Sequence, residues 1–229
     1  MLPEMAAKIF AGKEVSALKA MDVVEKKCLS PEMVHKAFNK AYKKENLEQF
    51  CNRKFKSHPD LGNRMRDAEK NNESRSFSTD RGRLLEDYVK DICKDIFDCK
   101  SSQTKVALSE NQATIVDLQF VAKKDVCFAG KTIKAGEEVS VEVKTGSKNY
   151  LRQEFKSGHI EKQVEGHLGK HSITFVSKDF NDLPLKTQKE IRDGLSGKTT
   201  IMSILPKVEI IDKNLKEILS KTSQFKLEE

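Results

Sequence analysis

The chain has 229 residues, of which 37% are hydrophobic and 34% are charged, and its formal net charge is +7. This composition excludes a disordered chain, because Phe, Ile, Leu and Val recur in periodic segments. No apolar run reaches the roughly 18 residues that a membrane-spanning helix needs, and Met1–Gly12 lacks the apolar core of a signal peptide. We therefore expect a soluble chain that does not act in a membrane.

The cysteines argue against a disulfide framework. There are five of them, an odd count, and they form no CxxC pair, so neither a set of disulfides nor a cysteine-based zinc site is predicted. Cys93 lies on a predicted apolar helical stripe and is expected as a reduced core thiol. Such cysteine usage is typical of a protein that acts in a reducing cytosol.

Positive charge is concentrated in the first third of the chain, where residues 1–76 carry 16 Lys and Arg against 11 Asp and Glu. We predict a helix at Val15–Lys27. A second helix begins at Ser30-Pro31-Glu32, a capping hydroxyl followed by proline and an acid, and its apolar positions include Leu47 and Phe50. The basic excess suits a phosphate backbone, but a merely soluble basic surface would have the same composition.

The stretch from His58 to Ser78 is polar and contains proline, glycine, asparagine and serine. We predict a linker or mobile loop here. It separates a helical basic N-terminal region, residues 1–76, from a second domain, residues 77–229.

The second domain begins with the clearest helix, predicted at Thr79–Phe97 from apolar residues at i, i+3 and i+4. The period then changes to two, which predicts strands at Lys105–Leu108, Ala113–Val121 and Val139–Lys144. A short hairpin-like excursion, Phe128–Gly136, lies between the last two strands.

Helices and one further strand follow. We predict a helix at Lys148–Leu168 that is broken at Gly158, a buried strand at Ile173–Val176, and helices at Leu185–Leu195 and Lys213–Ser220. The order of these elements predicts an α/β fold.

Two of the strands carry polar residues where burial is expected. Asp117 interrupts the apolar segment Thr114–Phe120. In Val139–Lys144 the valines share one face of the strand, and Glu142 and Lys144 share the other. On a buried strand such charges are costly unless they pair or bind an ion, whereas on a half-exposed strand they would simply be solvated.

The order of these features resembles the PD-(D/E)XK nuclease superfamily: a helix with Glu86, a strand with Asp117, a strand with Glu142 and Lys144, a helix and a buried strand. The resemblance covers residues 79 to about 180. It implies a restriction-endonuclease-like core, in which helices flank a mixed central β-sheet. It also implies hydrolysis of phosphodiester bonds with a divalent metal.

Matched position by position, the resemblance implies a metal-binding aspartate at Asp117, a second acid at Glu142 and a lysine near the attacking water at Lys144. The backbone carbonyl of Val143 would be a further metal ligand. Mg²⁺ or Mn²⁺ is the implied cofactor rather than Zn²⁺, since Mg²⁺ prefers hard oxygen ligands and binds through one or two carboxylates.

Further positions bear on the resemblance. Glu86 matches the acid that many members carry on the first core helix, and Gln163 matches a catalytic polar residue that some branches add on the helix after the E-x-K strand. Val116 departs from the pattern, because the family motif has proline before its aspartate. The excursion at Phe128–Gly136 accounts for the long separation of the two acidic motif positions.

A second resemblance lies downstream, in Phe175–Phe180, Leu183-Pro184 and Ile204-Leu205-Pro206. These segments resemble the closing part of nuclease domains in bacterial polymorphic toxins, including those delivered by contact-dependent inhibition or type VI secretion. The resemblance implies secretion or delivery into a target cell, a cytoplasmic site of action and a cognate immunity protein that blocks the active site.

Three histidines, His159, His167 and His171, have rival interpretations. His167 and His171 are four residues apart near Glu161 and Glu165, as in a helical zinc site, but neighbouring glycines weaken that helix and no HExxH spacing is present. His167 alone could contact phosphate or act as a base in the cleft. The favoured interpretation is a solvated or substrate-side basic face, formed together with Lys148, Arg152, Lys156, Lys162 and Lys170.

We therefore predict a metal-dependent endonuclease whose favoured substrate is DNA, because the family is mostly DNA-directed. Cleavage of RNA or tRNA is one alternative, and a non-catalytic nucleic-acid-binding module with a degenerate nuclease fold is another. With three Tyr and no Trp, the chain has little material for base stacking, which favours recognition of a duplex backbone.

Overall fold

The computed structural model describes residues 44–94, 96–128, 131–167 and 171–221. The predicted helix at Val15–Lys27 and the predicted helix start at Ser30-Pro31-Glu32 lie outside the described residues. None of the helices within those ranges is long and apolar enough to cross a membrane.

In the described part of the chain, three helices precede the sheet: α1 (Lys44–Ser57), α2 (Pro59–Lys70) and α3 (Ser74–Cys93). The predicted linker at His58–Ser78 is wrong, because α2 and the start of α3 occupy it. The proline that suggested a loop is Pro59, which stands in the first turn of α2, where a missing N–H costs nothing.

Although α2 is rich in polar residues, one side of this helix is buried. Met65 and Ala68 of α2 and Phe77 of α3 belong to the same hydrophobic cluster as residues of the sheet. The predicted domain boundary after residue 76 falls within α3, and the division of the chain into two domains stays a prediction.

The strands of the described chain are β1 (Phe97–Ser109), β2 (Gln112–Ala122), β3 (Val126–Phe128), β4 (Lys131–Ile133), β5 (Glu138–Lys144), β6 (His171–Ser177) and β7 (Thr200–Leu205). Five of them form one sheet in the order β1-β2-β5-β6-β7. β1, β2 and β5 pair antiparallel, whereas β5, β6 and β7 pair parallel. The predicted α/β class with a mixed sheet is confirmed.

The predicted excursion between the second and third strands is the hairpin of β3 and β4, which forms a small sheet of its own. After β5 come α4 (Lys148–Lys156) and α5 (His159–Glu165). The predicted break at Gly158 is confirmed, because this residue separates the two helices with φ +71°, a conformation that favours glycine.

The remaining helices are a 3₁₀ turn at Lys178–Asp182, α6 (Leu185–Gly194) and α7 (Val208–Ser220). α1, α2, α3 and α7 contribute to one hydrophobic cluster against the sheet. α4, α5 and the 3₁₀ turn contribute to a second cluster with Val176 and Ile201. Helices thus pack against both faces of the sheet, and Cys93 is buried in the larger cluster, as predicted.

Several predicted boundaries were wrong, and one strand was missed. α3 begins at Ser74 rather than Thr79, and α7 begins at Val208 rather than Lys213. α3 ends at Cys93 rather than Phe97, because Phe97 already pairs with Ala122 as the first residue of β1. β1 extends well beyond the predicted Lys105–Leu108, since an outer strand with exposed polar residues shows little apolar alternation. β7 was not predicted, although Thr200–Leu205 is a short, almost continuous buried apolar run.

Candidate active site

The backbone pairing of β2 with β5 ends immediately before Asp117. The last paired residues are Leu118 and Val141. Beyond them, Asp117 Oδ2 accepts a hydrogen bond from the Val143 N–H at 2.8 Å. The carboxylate thus takes the place of a ladder bond and lies beside the polar face of β5, next to Glu142.

Glu142 is buried between two basic side chains. Its exposed fraction is 0%, and that of Lys144 is 9%. Lys144 Nζ lies 3.3 Å from Glu142 Oε2, and His167 Nε2 lies 3.5 Å from Oε1. Neither carboxylate oxygen has a hydrogen-bond partner among the described residues. His167 is held from its other side by a hydrogen bond between Nδ1 and Ser172 Oγ.

The carboxyl groups of Asp117 and Glu86 have raised pKa values, which favour their protonated forms. Burial, followed by the neighbouring charge of Glu142, raises the pKa of Asp117 to about 8. Burial also raises the pKa of Glu86 to about 7, against the hydrogen bond from Gln103. The site therefore holds more carboxyl groups than its own cations neutralise, a condition in which a bound cation would be favourable.

The pair of Glu142 and Lys144 stays charged. Burial opposes the charged form of Glu142, but contacts with His167 and Lys144 outweigh it and lower the pKa. Burial likewise opposes the charge on Lys144, yet the carboxylates of Glu142 and Asp117 raise its pKa. The site keeps a buried ammonium beside a buried carboxylate.

Gln103 forms hydrogen bonds to two acids that lie on different elements, Glu86 of α3 and Asp117 of β2. Its Nε2 donates to Glu86 Oε2 at 2.6 Å and to Asp117 Oδ1 at 3.2 Å. Its backbone has φ +51°, which is uncommon for a residue with a side chain. Gln103 was not predicted from the sequence, because it lies in the part of β1 that was not predicted as a strand and belongs to no motif.

An open cleft of about 670 Å³ leads to these groups. Gln163, whose exposed fraction is 8%, lines the cleft together with Glu86, Asp117 and Lys144, and its Oε1 has no hydrogen-bond partner in the described part of the chain. Arg81 also reaches the wall, where both oxygens of the Asp212 carboxylate accept from it at 2.8 Å.

The predicted site residues therefore come together. Asp117, Glu142, Lys144 and Glu86 form one cluster, and Gln163 faces the same cleft without bonding to any of them in the described chain. A ligand role for the Val143 carbonyl stays a prediction. Comparisons with protein-family models, with curated proteins and with solved structures gave no match for this chain.

The three histidines lie in separate environments. His159 contacts Glu154 at 2.9 Å, His171 contacts Glu137 at 2.9 Å, and His167 contacts Glu142. The helical zinc site is therefore not formed, because α5 ends at Glu165 and the two nearest histidines face different carboxylates.

Across the described ranges, no group of three or more His, Cys, Asp or Glu side chains is arranged to hold a metal ion. A cation at Asp117 and Glu142 would have two carboxylates, the number that Mg²⁺ commonly takes from a protein. The predicted basic face is exposed on α4 and α5 where it is described, at Lys148, Arg152, Lys156 and Lys162, and Lys170 lies outside the described residues. Of the histidines assigned to this face, His159 is exposed, but the assignment is wrong for His167 and His171, because their side chains are largely buried against Glu142 and Glu137.

Proposed function

We propose that this protein is a divalent-metal-dependent nuclease that hydrolyses phosphodiester bonds, with DNA as the favoured substrate. The observation that carries the proposal is the meeting of Asp117, Glu142 and Lys144 at the carboxyl end of β5. Asp117 and Lys144 line an open cleft, and Glu142 is buried directly behind them. The ends of parallel strands are a common place for such sites.

The donor set fits Mg²⁺ or Mn²⁺ better than Zn²⁺. Asp117 and Glu142 offer hard carboxylate oxygens, and no described residue donates a hydrogen bond to the buried oxygens of Glu142. The Val143 carbonyl would be a further ligand. When bound, the ion would act as a Lewis acid on the phosphate and lower the pKa of a coordinated water.

Lys144 contributes a largely buried positive charge on the wall of the cleft. Its ammonium lies 3.3 Å from Glu142, where it can orient the attacking water or stabilise negative charge that develops on the phosphate. In the hydrolysis the water oxygen bonds to phosphorus and releases a proton, while the bond to the leaving ester oxygen breaks and that oxygen takes a proton. Glu86, whose pKa is raised to about 7, is a candidate for moving one of these protons.

The resemblance to toxin nucleases remains part of the proposal. It would give the protein a cytoplasmic site of action in a target cell, and an immunity protein that covers the cleft. RNA or tRNA is the alternative substrate class, and a non-catalytic nucleic-acid-binding module is the alternative function.

The direct test incubates purified protein with supercoiled plasmid and with total tRNA in Mg²⁺, Mn²⁺ or EDTA. We expect metal-dependent cleavage, which Lys144→Ala lowers by about 10²- to 10³-fold because the fixed charge is lost. Lys186→Ala is the control, since this exposed lysine of α6 lies outside the cleft. Salt-sensitive binding without turnover of either substrate would favour the binding module.

Removal of the Gln103 side chain is expected to slow cleavage without weakening the fold. Gln103→Gly takes away both hydrogen bonds to the acids, and glycine accepts a φ of +51° without strain. We expect kcat to fall about 10- to 100-fold, as when a residue that orients metal ligands is lost, and the Mg²⁺ concentration for half activity to rise.

Asn72→Gly is the matched control for this variant. Asn72 has a similar φ of +56° and lies in the turn between α2 and α3, outside the cleft wall. Both variants should unfold at the wild-type temperature or above. If Gln103→Gly keeps wild-type kcat and Mg²⁺ dependence, then Gln103 does not position the acids.

A further inference from the structure

A second cavity adjoins the cleft at Ile115 and Gln163. It has a volume of about 480 Å³ and lies between the β1–β2 turn, with Asn111 and Gln112, and α5, with Lys162. Ile115 and Gln163 line both cavities. The two spaces therefore meet at these residues, so that the cleft extends beyond Ile115 and Gln163 into the second cavity.

Positive charge stands at both ends of this path. Arg75 and Arg83 line the first cavity from α3, and Lys162 lines the second from α5. All three are exposed, and no acidic side chain in the described part of the chain forms an ion pair with them. Cations without a carboxylate partner beside a groove are suited to phosphate groups.

The residues at which the two cavities meet can contact a nucleic-acid strand that passes from one cavity into the other. Ile115 has an exposed fraction of 46%, and its side chain offers an apolar contact for a sugar or a base. Gln163 is nine-tenths buried, and its Oε1 lacks a donor among the described residues. A buried amide oxygen without a partner is costly unless a ligand satisfies it.

We propose, on the basis of the nuclease function, that one strand of the nucleic acid runs through both cavities and crosses Ile115 and Gln163. Arg75 and Arg83 bind its phosphates on one side of the scissile bond, and Lys162 binds a phosphate on the other side. The scissile phosphate lies beside Lys144. Because the path continues on both sides of the reacting centre, the substrate is an internal bond of a polymer rather than a chain end.

The test compares a polymer with a small diester. Plasmid or tRNA, whichever is cleaved, serves as the polymer, and bis(p-nitrophenyl) phosphate reports the chemistry alone. We expect Arg83→Ala and Lys162→Ala each to raise KM for the polymer about tenfold and to leave hydrolysis of the small diester unchanged. In Ca²⁺, the salt dependence of polymer binding should lose about one unit of slope per variant. Covalently closed plasmid should be cut as readily as linear DNA if DNA is the substrate.

Two control variants remove one positive charge each from positions outside both cavities. Arg53 of α1 and Lys186 of α6 are exposed and line neither cavity, so Arg53→Ala and Lys186→Ala should keep wild-type KM and salt dependence. If all four substitutions had equal effects on KM and on the salt dependence, the proposed strand path would be wrong, because the effects would then depend only on the overall charge of the protein.

The experiment distinguishes a wrong strand path from a wrong assignment of nuclease activity. If the small diester is hydrolysed while Arg83→Ala and Lys162→Ala keep wild-type KM and salt slope, then the strand path is wrong and the nuclease remains. If neither polymer nor diester is hydrolysed, the nuclease is wrong. The salt slopes of binding then still decide whether Arg83 and Lys162 contact a polynucleotide.

Discussion

Replacement of Glu142 by Gln is expected to lower phosphodiester cleavage by about three orders of magnitude or more, with the protein still folded. Gln keeps the size of the side chain but removes the charge that faces Lys144 and His167. It also removes one of the two carboxylates that would hold the metal ion. Binding of nucleic acid should persist or become tighter, because a negative charge beside the phosphate has been removed.

The measurement is the rate of plasmid or tRNA cleavage at saturating Mg²⁺, beside the dissociation constant in Ca²⁺ and the far-ultraviolet circular dichroism spectrum. Glu138→Gln is the matched control, because Glu138 begins the same strand, lies half-buried and pairs with Lys100 at 2.6 Å. It should keep wild-type cleavage. A folded Glu142→Gln variant that cleaves at more than about a tenth of the wild-type rate would contradict the proposed role.

The central strand and its polar face could be predicted because several signals agree there. In β5 the valines face the larger core cluster, while Glu142 and Lys144 are buried on the opposite face. Strict alternation fixes both faces at once, because the side-chain period of a strand is two. Asp117 could be predicted for a similar reason, since a charge inside a strongly apolar segment needs a partner.

Other features depend on tertiary contacts that no local pattern encodes. Gln103 bonds to Glu86 and Asp117 from an outer strand whose polar residues give no periodic signal. The polar stretch at His58–Ser78 is rich in residues of low helix propensity, yet packing of Met65 against the core outweighs those preferences. The continuation of the cleft past Ile115 likewise depends on α5 lying against the β1–β2 turn.

The metal-free protein is expected to lose stability as the pH rises from about 5 to 8. Asp117 has a pKa of about 8 in the folded chain, far above its ordinary value of 3.8, and burial is the main cause. Between these values the folded state binds the proton and the unfolded state does not, so stability is greatest at low pH and decreases toward pH 8. Glu86, whose pKa is raised to about 7, acts in the same direction.

Urea unfolding in EDTA at several pH values measures this dependence, which for one such group approaches about 1.4 kcal/mol per pH unit. Asp117→Asn keeps the shape of the neutral acid and should remove that part of the slope. Asp125→Asn is the control: the hydrogen bonds from Lys134 and from the Ala135 N–H lower the pKa of this exposed carboxyl, so it stays ionised throughout the window. Equal slopes for the wild type and Asp117→Asn would contradict the raised pKa.

Divalent metal is expected to reverse the trend. An ion that binds Asp117 and Glu142 must displace the proton from Asp117, so its affinity should rise with pH and its binding should release protons. Mg²⁺ should therefore raise the urea midpoint of the wild type more at pH 8 than at pH 6, and should barely raise that of Glu142→Gln. This readout needs no substrate. Stabilisation that is independent of pH, or equal in Glu142→Gln, would place the ion elsewhere on the protein and would leave the carboxylate cluster without its proposed ligand.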